Sequence, residues 1–161
     1  MAHDTPAAQG TIPLFYRILF TWIDPLAALW TSWALLTDPD LITNTYIPRA
    51  LSVRDPRHDF FPQQLGGAFF YIAASQAALL RYYPNDAGAW RLLNAGLLGF
   101  DAAVVYSLWC AMHAQGRLDP AGWRVEDYTT VVMTGIFAVS RAAIVAGVGL
   151  QQRAVGEVKR A

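Results

Sequence analysis

An all-α fold, a four-helix transmembrane bundle, is what three features of this chain predict. Its 161 residues are 55% hydrophobic and only 15% charged, where an ordinary soluble domain carries about 25% charged residues. Four long apolar stretches alternate with short clusters of Pro, Gly, Asn and Asp. Six Trp, seven Tyr and eight Phe give the stretches aromatic ends, as interfacial belts require.

The elements follow in order. Residues 1–11 form a polar tail, without the basic start and short apolar core of a signal peptide. The membrane domain covers 12–150, with spans expected at about 12–36, 65–82, 90–114 and 129–150. At 1.5 Å per residue, helices of roughly 16–25 residues bracket the hydrocarbon thickness. Pro25 lies inside the first span, where neighbouring helices must satisfy the carbonyl it frees. Thr37-Asp38-Pro39-Asp40 closes that span, and Tyr83-Pro84-Asn85-Asp86 makes a tight turn between the second and third. Gln115 to Pro120 ends the third. The connection 37–64 is long, and reads as a cap over one mouth of the bundle or as a solvated connector. Residues 151–161 form a C-terminal tail. Six basic residues on the terminal side against five on the other favour cytoplasmic termini. The expected location is a multi-pass position in the endoplasmic reticulum membrane.

Composition narrows the function classes. Formal net charge is +0, so bulk attraction to nucleic acid is absent. Cys110 is the only cysteine, and His3, His58 and His113 are scattered, so no metal site or cofactor is expected. Membrane lipids and a lipophilic small molecule are the expected partners. Gly96, Gly99 and Ala103 on one side of the third span, with Gly135, Ala138, Ala142 and Ala143 on the fourth, suit close approach of another helix, including one from a second copy.

Three charges lie near the middle of apolar stretches: Asp24, Asp101 and Arg141. Charge at bilayer depth costs at least roughly 2.5–3.5 kcal/mol, and such residues usually turn inward and find partners. Arg17, Thr21, Asp24, Ala28 and Thr31 fall on one helical stripe, and Asn94 shares a face with Asp101. With these faces inward, Asp24, Asp101 and Arg141 form one layer, with Gln76 beside it. Two carboxylates around one cation hold one proton between them, giving an acid and a base in a dry pocket. That suits the opening of an epoxide by water or by an internal hydroxyl. The same three charges equally suit a structural set that fixes helix register. Gln76, Asn94, Tyr106 and Trp22 are the candidate substrate-binding residues. Tyr106 offers a phenolic proton or plain packing, and Trp22 lines a pocket or faces lipid. Asp–Arg–Asp is also the catalytic set of the limonene-type soluble epoxide hydrolases, an analogy of site on an unrelated fold.

The segments IPLFYRILFTWIDPLAALW, DPDLITNTYIP, QQLGGAFFYIAASQAALL and LLGFDAAVVYSLW resemble a family of small fungal four-span membrane proteins. Members of this type resemble the membrane hydrolases of polyene-pyrone biosynthesis, the citreoviridin, aurovertin and asteltoxin group. The resemblance implies a cofactor-free epoxide hydrolase or cyclase of secondary metabolism acting on a polyketide epoxide. It implies Asp24 and Asp101 as the acid–base pair, and a flavin monooxygenase nearby to make the epoxide. An integral-membrane terpene cyclase or isomerase is the alternative enzyme. A non-catalytic scaffold or lipid-binding protein is the alternative outside enzymology.

Overall fold

In the computed structural model, the described residues are 12–52 and 54–150, and they are helix, turn and loop without a strand. The two tails expected at 1–11 and 151–161 lie outside them. The first rod, Leu14–Thr37, is not one regular α-helix. It begins as α1 (Leu14–Ile18), passes through a π-helical turn (Leu19–Ile23) and continues as α2 (Asp24–Thr37).

Pro25 explains what happens at that turn. The Asp24 amide donates five residues back, to the Leu19 carbonyl. The Phe20 carbonyl therefore loses its α-helical donor, and its π-helical donor would be Pro25, which has no N–H. Pro25 likewise leaves Thr21 without a partner. Both carbonyls are met from another helix. Gln76 Nε2 donates to Phe20 O at 2.8 Å, and Arg81 Nη2 donates to Thr21 O at 2.7 Å. Buried backbone acceptors need partners, and here two polar side chains five residues apart on α4 supply them.

The connection after α2 is largely helical. It holds α3 (Asp40–Tyr46) and a short 3-10 turn (Pro56–His58). Next comes α4 (Phe60–Tyr82), which starts five residues before the expected 65. Pro62 does not prevent this, because it falls in the first turn, where an amide has no helical partner to lose. The tight turn leads into α5 (Ala87–Ala114), whose N-cap Asp86 accepts from the Ala89 amide at 3.0 Å. α6 (Val125–Val145) closes the bundle and ends five residues before the expected 150. Gly147, with φ 82°, turns the chain there.

The helices pair as two hairpins. α2 packs along α4, and α5 along α6. Gly66 lets the first pair approach: a β-carbon there would lie 3.1 Å from Leu36 Cγ and 3.2 Å from Ser32 O. The glycines expected to allow a close neighbour do not do so among the described residues. A β-carbon on Gly96, Gly99 or Gly135 would meet nothing within 4 Å. The inward face of α5 carries Trp90, Asn94, Leu97 and Asp101 instead.

The hairpins join at the terminal end through buried Ile12, Tyr16, Leu19, Phe20, Leu80, Trp90 and Ile144. At the opposite mouth, α3 is held by polar contacts. Large apolar side chains, Trp22, Leu26, Tyr71, Leu92, Val125 and Val139 among them, face outward. Among the described residues, three helices are long and apolar enough to cross a membrane: Leu14–Thr37, Ala87–Ala114 and Val125–Val145. The fourth expected span is not among them. α4 is long enough at 23 residues, but Gln63, Gln64, Gln76 and Arg81 dilute its apolar character.

Candidate functional site

The π-turn and Pro25 present Asp24 to the middle of the molecule, where it is 6% exposed. Asp101 reaches the same layer from α5, and Arg141 from α6. The Arg141 guanidinium bridges the two acids, donating through Nη2 to Asp24 Oδ2 and through Nη1 to Asp101 Oδ2. Both pairs are buried. Phe20 and Phe137 flank the cation, each ring centroid 5.9 Å from its central carbon.

Gln76 completes the layer, with Nε2 donating to Asp24 Oδ2 at 2.7 Å. Asp24 Oδ2 thus accepts from both Arg141 and Gln76, while Oδ1 carries neither bond. Arg17 does not balance the second acid. It turns to Ile12 O, Pro84 O and Asn85 Oδ1 at the terminal end. Of the polar stripe expected on the first rod, Thr21, Asp24 and Ala28 are buried, and Arg17 and Thr31 are half-buried.

The remaining candidates divide. Asn94 is buried and donates through Nδ2 to Trp90 O at 2.8 Å. Tyr106 does not reach the acids, although the reading of the sequence put it beside a substrate oxygen. It lies five residues beyond Asp101, roughly 140° round the helix, and is 66% exposed. Trp22 is also outside the layer. It is 59% exposed, with the Arg81 guanidinium 4.5 Å above its ring.

Two hollows lie near these elements. An apolar groove of about 470 Å³ runs along α5 and α6, lined by Leu98, Ala102, Val105, Tyr106, Trp109 and Ala138. Leu98, Ala102 and Val105 surround Asp101 in sequence, and Ala138 is one turn from Arg141. The second is a polar hollow of about 330 Å³ at the α3 mouth, lined by residues that include Asp38, Asp40, Arg49 and Arg54. Arg54 closes its edge by pairing with Asp59 at 2.6 and 3.0 Å. These hydrogen bonds hold the Asp59 carboxyl below its ordinary range. Among the described residues, no group of three or more His, Cys, Asp or Glu comes together to hold a metal ion.

A second buried charge cluster was not anticipated. Asp127 is fully buried and accepts from Arg117 Nη1 at 2.6 Å and from Arg124 Nη2 at 2.9 Å. The same arginines donate to the last carbonyls of α3, Arg124 to Asn44 O at 2.9 Å and Arg117 to Tyr46 O at 3.2 Å. The cluster ties α3 over the mouth, and cations suit the C-terminal end of a helix. Arg124 and Asp127, three apart at the start of α6, were its one signal in the sequence.

The sequence model of one family, described as a domain of unknown function (DUF7704), matches residues 9–151. No curated protein and no solved structure matches the chain.

Proposed function

The chain belongs to the DUF7704 family, and from its own residues we propose that it is a four-span membrane enzyme opening a lipophilic epoxide by acid–base chemistry between Asp24 and Asp101. One observation carries this reading. Two buried carboxyl groups share one guanidinium, and no second cation joins them among the described residues. A buried set of two acids and one cation favours holding one proton. One acid is then a proton donor and the other a base. Arg141 holds both in place, and each acid keeps an oxygen that Arg141 does not use. The apolar α5–α6 groove, whose lining residues Leu98, Ala102 and Val105 are neighbours of Asp101 in sequence, suits a long hydrocarbon substrate.

Packing rather than hydropathy supports a fourth span: α4 lies along α2 and supplies partners to its broken turn. The resemblance read from the sequence extends the proposal to a fungal polyene polyketide epoxide, formed by a monooxygenase and opened in the endoplasmic reticulum membrane.

The competing reading is a non-catalytic membrane protein whose three charges fix helix register. It is favoured by the mutual pairing of all three groups. Asp101→Asn separates the two. Membranes containing the full chain are given a polyene bis-epoxide, and products are analysed together with the protein's melting temperature. The enzyme reading expects a folded Asp101→Asn protein with opening reduced at least about 100-fold. Turnover by that variant equal to the unaltered protein's ends the assignment.

A further inference from the structure

We infer that Gln76 is a positioning residue: its side-chain amide makes Asp24 the ionised acid of the pair and leaves the shared proton on Asp101. Where the proton sits follows from the hydrogen bonds alone. That Asp24 is then the base and Asp101 the acid of an epoxide opening rests on the functional reading above.

The two carboxyl groups are not equivalent. Arg141 donates to one oxygen of each, so it does not decide between them. Gln76 Nε2 reaches Asp24 Oδ2, at 2.7 Å, and not Asp101. Asp24 therefore accepts two hydrogen bonds in the layer, and Asp101 accepts one. A donor to a carboxyl group stabilises its ionised form, and bonds to an ion are roughly twice as strong as neutral ones. The other arginines on these helices do not redress the balance. Arg17 turns to Asn85, Arg81 to Thr21 O and Arg91 to Val145 O.

The broken turn of the first rod holds Gln76 in this role. Its Nε2 carries two hydrogens, and both are used, one by Asp24 Oδ2 and one by Phe20 O at 2.8 Å. A flipped amide would set Oε1 against both acceptors, so the nitrogen stays toward Asp24. Phe20 O is open to Gln76 because the Asp24 amide donates to Leu19 O and Pro25 has no N–H. Gln76 is 1% exposed, so bulk solvent does not compete for either bond.

Each acid also keeps a free oxygen for proton transfer. The Oδ1 atoms of Asp24 and Asp101 accept no hydrogen bond among the described residues. The polar atoms sealed in without a partner are Gln76 Oε1, Asn94 Oδ1 and Arg141 Nε, so neither free carboxyl oxygen is sealed. The side chains keep some surface to match, 8% for Asp24 and 10% for Asp101.

The roles follow from the proton's place. The oxygen of a water, or of a hydroxyl on the substrate, forms a bond to one epoxide carbon as that carbon's bond to the ring oxygen breaks. The nucleophile's proton passes to the Asp24 carboxylate, and Asp101 gives its proton to the opening oxygen. Water yields a vicinal diol, and an internal hydroxyl yields a cyclic ether that carries one new hydroxyl. Asp24 is left protonated and Asp101 ionised. Return of one proton from Asp24 to Asp101 resets the pair, and the Gln76 bond favours that direction.

The test reads the proton and the turnover separately. Infrared spectra of the full chain in detergent micelles at neutral pH show the carbonyl stretch of a protonated carboxyl group. Asp101→Glu is expected to shift that band, and Asp24→Glu to leave it in place. Gln76→Met removes the donor and keeps the side chain's length. It is expected to move the band, as the proton spreads to Asp24, and to lower kcat on a polyene bis-epoxide about tenfold, the loss of one hydrogen bond, with KM unchanged. Gln76→Asn, whose shorter amide does not span both acceptors, replaces it if Gln76→Met does not fold. A purely structural Gln76 would lower the melting temperature and leave the band where it is, which overturns the inference. So does the absence of a band, or a band that shifts with Asp24→Glu; either result leaves epoxide opening to stand on turnover. The expected bands with no ring opened overturn the functional reading and leave the proton's place standing.

Discussion

Gly66 shows how much one hydrogen atom in place of a methyl group decides. A β-carbon there would sit 3.1–3.2 Å from Leu36 Cγ, Leu35 Cβ and Ser32 O. The first is a branch point, the second is bonded directly to the backbone, and the third is backbone, so none can move aside cheaply. Gly67, the next residue, would meet nothing within 4 Å. Gly66→Val is expected to cost about 1–3 kcal/mol through overpacking. Gly67→Val should stay within about 0.5 kcal/mol, as surface changes usually do. Thermal unfolding of both variants in the same detergent checks the contrast. Arg54 and Asp59 carry a pH dependence at the same scale. The Asp59 carboxyl is held below its ordinary range by hydrogen bonds from Arg54. Its folded-state value is therefore lowered, and its contribution is present above the unfolded value and lost as pH falls through the folded one. The protection factor of the Gln63 amide, which donates to Asp59 O at 3.0 Å, should fall only as pH drops below the usual carboxylate range. Because the pair is exposed, the effect is expected to be small and to shrink with salt.

At the scale of elements, the broken turn before Pro25 couples the first rod to α4. Arg81 donates to the carbonyl that Pro25 leaves bare. Arg81→Met should cost about 1–3 kcal/mol by leaving that acceptor without a partner. Pro25→Ala restores an amide in the right place. In the Pro25→Ala background, Arg81→Met should cost less, and a double-mutant cycle of unfolding free energies measures the difference. Equal costs in both backgrounds would show that Arg81 acts through its stacking on Trp22 instead. The same turn presents Asp24 inward and gives Gln76 its second acceptor, Phe20 O. The irregular element and the charged layer are one construction.

For the whole molecule, two charge clusters at different depths do different work. The central one joins the two hairpins through Asp24, Asp101 and Arg141. The other, at the mouth, holds α3 down through Arg117, Arg124 and Asp127. Removing the buried Asp127 carboxylate leaves two guanidinium groups facing one another. Asp127→Ala is expected to cost about 3–5 kcal/mol, the usual penalty for breaking a buried pair. Its local signature is faster hydrogen exchange over Asp40–Tyr46. Loss of stability without that signature would show that α3 is held by packing instead.

The sequence by itself determined helices, their order, and the inward turn of Asp24, Asp101, Arg141 and Gln76. Those follow from local rules: apolar length, breaker residues, and the expense of unpaired charge among hydrocarbon. Tertiary structure alone decided which inward groups meet, because pairing depends on helix register and on the π-turn, neither of which a 3.6-residue period reveals. It moved Tyr106 and Trp22 outward, took Arg17 away to Asn85, and put Gly66 rather than Gly96 or Gly99 at the close helix contact. It also assembled the Asp127 cluster, whose members come from a turn and a helix start and bind carbonyls more than 60 residues earlier in the chain.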